Sequence, residues 1–165
     1  MPMNYVTAVD EKVELIRDRF RSLIGAEFRG YELAQMWCSS EKEWSNWMDI
    51  PLFLSFDEST LSISWEKFDD LAIEKGRVLP FSLGGSTVRW LCEGVEMLDS
   101  IIGQKILGVS LAKGQMTLGN ADIEIWTRLL IELNSGATLE IFNALDENGI
   151  ELHSDGVKEN ARKCI

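Results

Sequence analysis

The stretch LLIELNSGATLEI at residues 129–141 decides the fold of this chain. Apolar residues recur at every second position on both sides of an Asn-Ser-Gly turn, and periodicity of two around such a turn is typical of a β-hairpin. Residues 52–63, LFLSFDESTLSI, repeat the pattern around an Asp-Glu-Ser turn. The sequence therefore predicts two similar hairpins, at a spacing of 77 to 78 residues.

The similarity extends outward from these hairpins. Upstream, Leu23-Ile24-Gly25 recurs as Ile101-Ile102-Gly103, and downstream Ile73-Glu74 recurs as Ile150-Glu151. In each half a helical segment is expected to end at the glycine, since glycine adopts the left-handed conformation that stops a helix. A strand and a hairpin follow in both halves. We interpret this order as an internal duplication of a helix-plus-strands unit of about 78 residues.

The predicted fold class is α+β, with mostly antiparallel β-sheet, in one domain of pseudo-two-fold symmetry. The similar halves span approximately residues 10–86 and 87–155, and residues 156–165 form a polar C-terminal tail of the single domain 1–165. A lone unit of this length would bury a marginal core, which favours one domain over two independent ones. No linker rich in Pro, Gly and Ser separates the halves, and Gly84-Gly85-Ser86 is expected to be a loop at their junction.

The charge balance indicates which partners are compatible with this protein. The chain carries 16 basic and 27 acidic residues, for a net charge of -11. A nucleic-acid backbone would be repelled, because no basic patch is segregated in the sequence. A basic protein would instead be attracted and steered. No apolar run approaches the length of a membrane helix, so no membrane partner is expected.

Cysteine usage and the N-terminus favour a cytoplasmic location. Three cysteines without a Cys-x-x-Cys motif are typical of a reduced protein rather than of a disulfide framework or a zinc site. The penultimate Cys164 is expected to be exposed. The first residues show no basic segment followed by an apolar one, so no secretory signal is predicted.

No catalytic residue, metal or cofactor is predicted. The chain has one histidine, His153, on which any Ser–His–Asp mechanism would depend, and it has no Gly-x-Ser-x-Gly motif. Gly25 and Gly30 are not followed by the Lys-Ser/Thr of a phosphate-binding loop. The acidic segment 146–149 is explained by turn chemistry, because it lacks the spacing of a calcium loop.

Tryptophans are concentrated in one segment. Trp37, Trp44 and Trp47 lie within residues 36–48, where Ser40-x-x-Glu43 predicts a capping box and a short helix with two of the rings on one face. Tryptophan is enriched at interface hot spots, and packing in the core is the alternative explanation. The candidate partner-binding residues combine these rings with the acidic turns: Trp37, Trp44, Trp47, Asp69, Asp70, Asp146 and Glu147.

These observations favour a small acidic intracellular protein of bacterial type that acts by protein–protein binding. An immunity- or inhibitor-type neutraliser of a basic partner fits the charge and the missing catalytic set. The first alternative is a small-molecule-binding protein or enzyme with a pocket between the two halves. The second is a structural homo-oligomeric module, such as a homodimer that pairs open sheet edges.

Overall fold

The computed structural model describes residues 3–84, 87–157 and 159–165. Two residues of the predicted junction loop, 85 and 86, lie outside the described residues. None of the described helices is long and apolar enough to cross a membrane.

Antiparallel β-sheet dominates the structure and two short helices accompany it, so the α+β prediction is confirmed. The first part of the chain forms α1 (Val9–Phe20), a 3-10 turn (Arg21–Leu23), β1 (Phe28–Cys38), β2 (Glu43–Asn46), β3 (Leu52–Phe56), β4 (Ser59–Glu66), β5 (Asp70–Lys75) and β6 (Val88–Leu91). The second part forms α2 (Glu96–Asp99), β7 (Ile106–Leu118), β8 (Ala121–Leu133), β9 (Thr138–Asn143), β10 (Asn148–His153) and β11 (Ala161–Lys163).

The strands form two sheets of related order. In the first sheet β1, β3, β4 and β5 follow one another, and both β2 and β6 pair with β1. In the second sheet the order is β10-β9-β8-β7-β11. Each sheet is thus a meander whose first strand also pairs with a later strand, β6 in one case and β11 in the other. Strand β6 falls within the predicted second half of the chain but pairs with the first sheet.

The two predicted hairpins form with matching register. Leu54 lies opposite Leu61 in the first sheet, and Ile131 lies opposite Leu139 in the second. The first strand of each sheet also has a register shift one residue before a glycine, at Gly30 in β1 and at Gly108 in β7. Similar apolar periodicity therefore produces corresponding pairs in both sheets, although the second hairpin has a turn that is one residue longer.

The sheets meet through reciprocal backbone hydrogen bonds. Gly25 N donates to Ile106 O at 2.8 Å, and Gly103 N donates to Phe28 O at 2.8 Å. Between these bonds, Glu27 forms an antiparallel bridge with Lys105. The buried apolar residues of both sheets and of α1 form one cluster, which includes Phe20, Leu54, Trp65, Ile131 and Leu139.

Two local predictions are wrong. Residues 43–46 form strand β2 rather than a helix, because pairing of Trp44 with Trp37 across to β1 outweighs a local capping pattern. Cys164 is buried rather than exposed, since β11 pairs with β7 and draws the chain end against the core. The predicted polar tail, residues 156–165, thus contains a strand of the second sheet.

Candidate functional site

Two turns, one from each sheet, meet at the surface. The β4–β5 turn presents Lys67, and the β9–β10 turn presents Asp146. Lys67 N donates to Asp146 Oδ1 at 2.6 Å, and Asp146 N donates to Lys67 O at 3.1 Å. Asn143 Nδ2 donates to Lys67 O at 2.9 Å. Hydrogen bonds between the two backbones, and from side chains of one turn to the backbone of the other, therefore hold the two turns together.

The backbone of these turns is strained. Lys67, Leu145 and Asp146 all have left-handed backbone angles, with φ of 52°, 59° and 70°. A non-glycine residue in this region costs about 1 to 3 kcal/mol, and such residues concentrate at functional sites. Each turn also exposes one large apolar side chain: Phe68 is at 62% and Leu145 at 76% of full exposure. We call these two side chains the apolar tips. A shallow cavity of about 310 Å³ lies between the tips.

An acidic cleft with aromatic walls lies beside the turns and shares Asp146 with them. Its volume is about 260 Å³. Three carboxylates and four aromatic rings line it, and no cationic side chain is among the described lining residues. The lining consists of Tyr5, Trp47, Asp49, Trp65, Glu66, Pro80, Phe81 and Asp146. We call this cleft, together with Phe68 and Leu145, the acidic–aromatic surface.

Separate elements position the walls of the cleft. The N–H of Trp47 donates to Ala34 O at 2.8 Å, and its ring lies 6.2 Å from that of Phe81. Tyr5 shares a hydrogen bond of 2.8 Å with the hydroxyl of Ser64. Burial raises the pKa of Tyr5, and the negative charge of Glu66 and other nearby carboxylates raises it further. The phenol therefore stays protonated at neutral pH, beside a region of negative potential.

The structure separates the predicted acidic residues into two roles. Asp146 lines the cleft, and Glu147 lies on the same turn. Asp69 lies 3.8 Å from the buried Lys12 Nζ, and Asp70 accepts a hydrogen bond of 2.6 Å from Thr7 Oγ1. Both aspartates hold the β4–β5 turn in place instead of lining the cleft.

Lys12 is an unexpected support of this region. It is fully buried in α1, where its Nζ donates to Trp126 O at 2.8 Å and lies 5.5 Å from the centre of the Trp65 ring. Burial lowers the pKa of Lys12, and the charge of Asp69 acts in the opposite direction. The ammonium group thus links α1 to β8, to a wall of the cleft and to the turn.

The predicted tryptophan cluster is divided. Trp47 lines the cleft, whereas Trp37 and Trp44 form an edge-to-face pair with ring centres 5.5 Å apart across β1 and β2. The guanidinium of Arg89 lies 4.3 Å from the centre of the Trp44 ring. These two rings therefore belong to a separate patch on the β1–β2 hairpin.

A second site, which the sequence analysis missed, lies on the face of the second sheet opposite the core. Glu140 is 5% exposed, accepts hydrogen bonds from Arg128 at 2.7 and 2.9 Å, and lies 2.7 Å from His153 Nε2. Glu151 lies directly opposite Glu140 in the strand register. We call Arg128, Glu140, Glu151 and His153 the charged cluster.

The state of Glu140 follows from its partners. Burial opposes ionisation, but hydrogen bonds from Arg128 and His153 outweigh it and lower the pKa of Glu140. The pair Glu151-x-His153 on one strand was the signal available in the sequence, because residues two apart on a strand share a face. Glu140 could not be assigned to the same cluster without the register of β9 against β10.

Comparison of the chain with protein-family models, with curated proteins and with solved structures finds no match. The acidic–aromatic surface and the charged cluster are therefore the features from which we infer a function.

Proposed function

We propose that this protein binds a basic protein partner through the acidic–aromatic surface. The observation that carries the proposal is the position of two exposed apolar tips, Phe68 and Leu145, beside a cleft with three carboxylates. Binding hot spots in protein interfaces combine large apolar anchors with a polar rim. The tips are suited to be the anchors, and the carboxylates to be part of the rim.

Charge favours a basic partner over a neutral one. The net charge of -11 steers a cationic protein toward the chain at long range. At short range, Asp49, Glu66 and Asp146 can pair with a Lys or Arg side chain. The aromatic walls add cation–π attraction, which is strongest for a desolvated guanidinium or ammonium group over a tryptophan or tyrosine face.

Neutralisation of a basic toxin or enzyme in the cytoplasm is the activity that we propose for this binding. An acidic surface with preformed anchors can cover the basic substrate-binding region of such a partner and block it. Three cysteines without a Cys-x-x-Cys motif are the sequence pattern of a reduced protein, which supports the cytoplasm as the place of action. Immunity- and inhibitor-type proteins work in this way, by occupying their target.

We also infer that the chain arose by internal duplication and that the binding surface is a product of it. The support is the matching register of the sheets and the reciprocal bonds around Glu27 and Lys105, which are 78 residues apart. Strands β6 and β11 are then counterparts, so the first unit extends through Leu91. The β4–β5 and β9–β10 turns are also counterparts, and they meet each other at the proposed surface.

Removal of the apolar tips tests the proposal. The tagged wild type, the Phe68→Ala/Leu145→Ala double variant and a Leu107→Ala control are each used to capture partners from lysate of the source organism. Leu107 is a matched control because it is exposed and apolar but lies on β7. We expect the wild type and the control to recover one basic protein in near-equal amount, and the double variant to bind it at least about tenfold more weakly.

Two results would count against the proposal. Equal binding of the partner by the double variant and the control would place the interface elsewhere on the chain. If the tagged wild type captures no partner, a small molecule that binds in the cleft becomes the favoured ligand. The cleft is lined by residues from both halves of the chain. A shift of tryptophan fluorescence across a metabolite panel would then identify the ligand, because Trp47 and Trp65 line the cleft.

A further inference from the structure

We propose that the charged cluster is a binding site for a divalent transition-metal ion, with Zn²⁺ as the best match. Glu140, Glu151 and His153 would be the three protein ligands. The site is independent of the acidic–aromatic surface, so either proposal can fail without the other.

Strand geometry places the three ligands together. Glu151 and His153 are two residues apart on β10, so their side chains share a face, and Glu140 lies directly opposite Glu151 on β9. Their ligand atoms all lie within 4.8 Å of one another. One atom from each of three residues on two neighbouring strands can reach a common ion after small side-chain rotations. Strands hold such a set more rigidly than loops do.

The donor chemistry fits zinc. One imidazole nitrogen and two carboxylate oxygens form a ligand set that Zn²⁺ accepts at about 2.0 to 2.2 Å, and three protein ligands leave the fourth position open. His153 Nε2 and Glu140 Oε1 are already 2.7 Å apart. The ion would take the place of the proton that these two atoms share.

Arg128 supports the site from outside the ligand shell. It donates to both oxygens of Glu140, at 2.9 and 2.7 Å. Each carboxylate oxygen has two lone pairs, so an oxygen that accepts from Arg128 retains one for a metal ion. Carboxylate ligands of metal sites are usually hydrogen-bonded in this way. The carboxylates of Glu140 and Glu151 outnumber the guanidinium, so the cluster keeps a negative charge that favours a cation.

Space for a further ligand lies beside the cluster, on the side of His153. A cavity of about 350 Å³ adjoins it and is lined by residues that include Arg128, His153, Gly156 and Glu159. Thr138, the register partner of His153, is 1% exposed, and its hydroxyl has no hydrogen-bond partner among the described residues. That hydroxyl lies 3.7 Å from the place that a Cβ atom would occupy at Gly156, and Gly156 lines the cavity. An unpartnered buried hydroxyl is costly, so the side of the cluster next to Gly156 holds a polar group whose hydrogen bond is not satisfied within the described residues.

Nuclear magnetic resonance of the imidazole tests the site directly, because His153 is the one histidine of the chain. Zn²⁺ is titrated into the full-length, ¹⁵N-labelled protein, and the ring nitrogen resonances report on His153 alone, so zinc bound by cysteines does not interfere. We expect a saturable shift at one equivalent. Glu151→Gln should weaken the apparent affinity at least about tenfold.

Glu132→Gln is the matched control. Glu132 is exposed and shares the face of the charged cluster, but it lies on β8 and its carboxylate approaches Gly108 on β7. The control should bind zinc like the wild type, and amide spectra of both variants verify the fold. Ring resonances that do not move in excess zinc would overturn the proposal. So would an affinity of Glu151→Gln within tenfold of the control.

Discussion

Ser62 in the first sheet and Glu140 in the second occupy corresponding places, yet their surroundings differ. Both are buried on the face opposite the core, and each interacts with the residue near the end of the neighbouring strand. The hydroxyl of Ser62 donates to Gly76 O at 2.6 Å and accepts from Val78 N at 2.8 Å, which ties the following segment onto the sheet. Glu140 binds Arg128 and His153 beside a cavity.

The difference shows that two sheets with related strand order can carry different side chains on their outer faces. The inner faces carry equivalent apolar residues, because both must fill the shared core. The outer faces are free of that requirement, so one sheet uses a small side chain to close its surface and the other carries a charged cluster. Three predictions test this comparison.

The largest effect is expected on the inner faces, where the two sheets should behave alike. Leu54→Ala and Ile131→Ala each remove a fully buried side chain from the common core. Each should lower the free energy of unfolding by about 4 kcal/mol, with a difference below about 1 kcal/mol between them. Urea denaturation measures both values. A large loss of unfolding free energy for one variant and a small loss for the other would contradict equal contributions of the two sheets to the common core.

The outer faces should differ. Glu140→Ala leaves the partly buried Arg128 and His153 without their acceptor, and should lower the free energy of unfolding by about 3 kcal/mol. Ser62→Ala removes one hydroxyl with two partners and should lower it by about 1 kcal/mol. The same urea titration compares them. Equal losses would mean that the charged cluster contributes no more stability than its counterpart.

The smallest effect concerns pH and a position where only the first sheet carries a titratable group. Tyr31 donates to Asp99 Oδ1 at 2.6 Å and accepts from Val95 N, whereas its counterpart in β7 is Val109. Burial, with the bond to Asp99, raises the pKa of Tyr31 to about 12. The folded state therefore holds this proton more tightly than the unfolded state, whose phenol titrates near pH 10.

Stability from Tyr31 should consequently be complete below about pH 10 and be lost as the pH rises toward 12. Up to about 2 kcal/mol is at stake over this window. Between pH 9 and pH 11, the free energy of unfolding of Tyr31→Phe is expected to fall less than that of the wild type. Urea titration at each pH measures both values. Parallel losses in both proteins would show that Tyr31 does not carry the effect.

Local pattern was sufficient where pairing partners are close in sequence. The β3–β4 and β8–β9 hairpins follow from alternation around short turns, and both form. The same kind of reasoning failed at Ser40-x-x-Glu43, because the capping pattern describes only the local chain. The long-range pairing of Trp37 with Trp44 decided the conformation of that segment.

The candidate site was only partly accessible from the sequence. Trp47 and Asp146 were singled out and line the cleft, but Asp69 lies near the buried Lys12 and Asp70 accepts a hydrogen bond from the exposed Thr7. The exposed tips Phe68 and Leu145 were missed, since exposure of an apolar residue depends on what packs over it. No local signal shows that a turn of one sheet lies against a turn of the other.

The sequence by itself determined the β3–β4 and β8–β9 hairpins, the turns within them and the strongly acidic character, because these depend on alternation, turn chemistry and residue counts. Tertiary structure alone decided that Lys67 and Asp146 exchange hydrogen bonds, that Lys12 is buried, and that Glu140 faces His153. These contacts join residues that are distant along the chain or depend on strand register. Their geometry is set by packing around the common core.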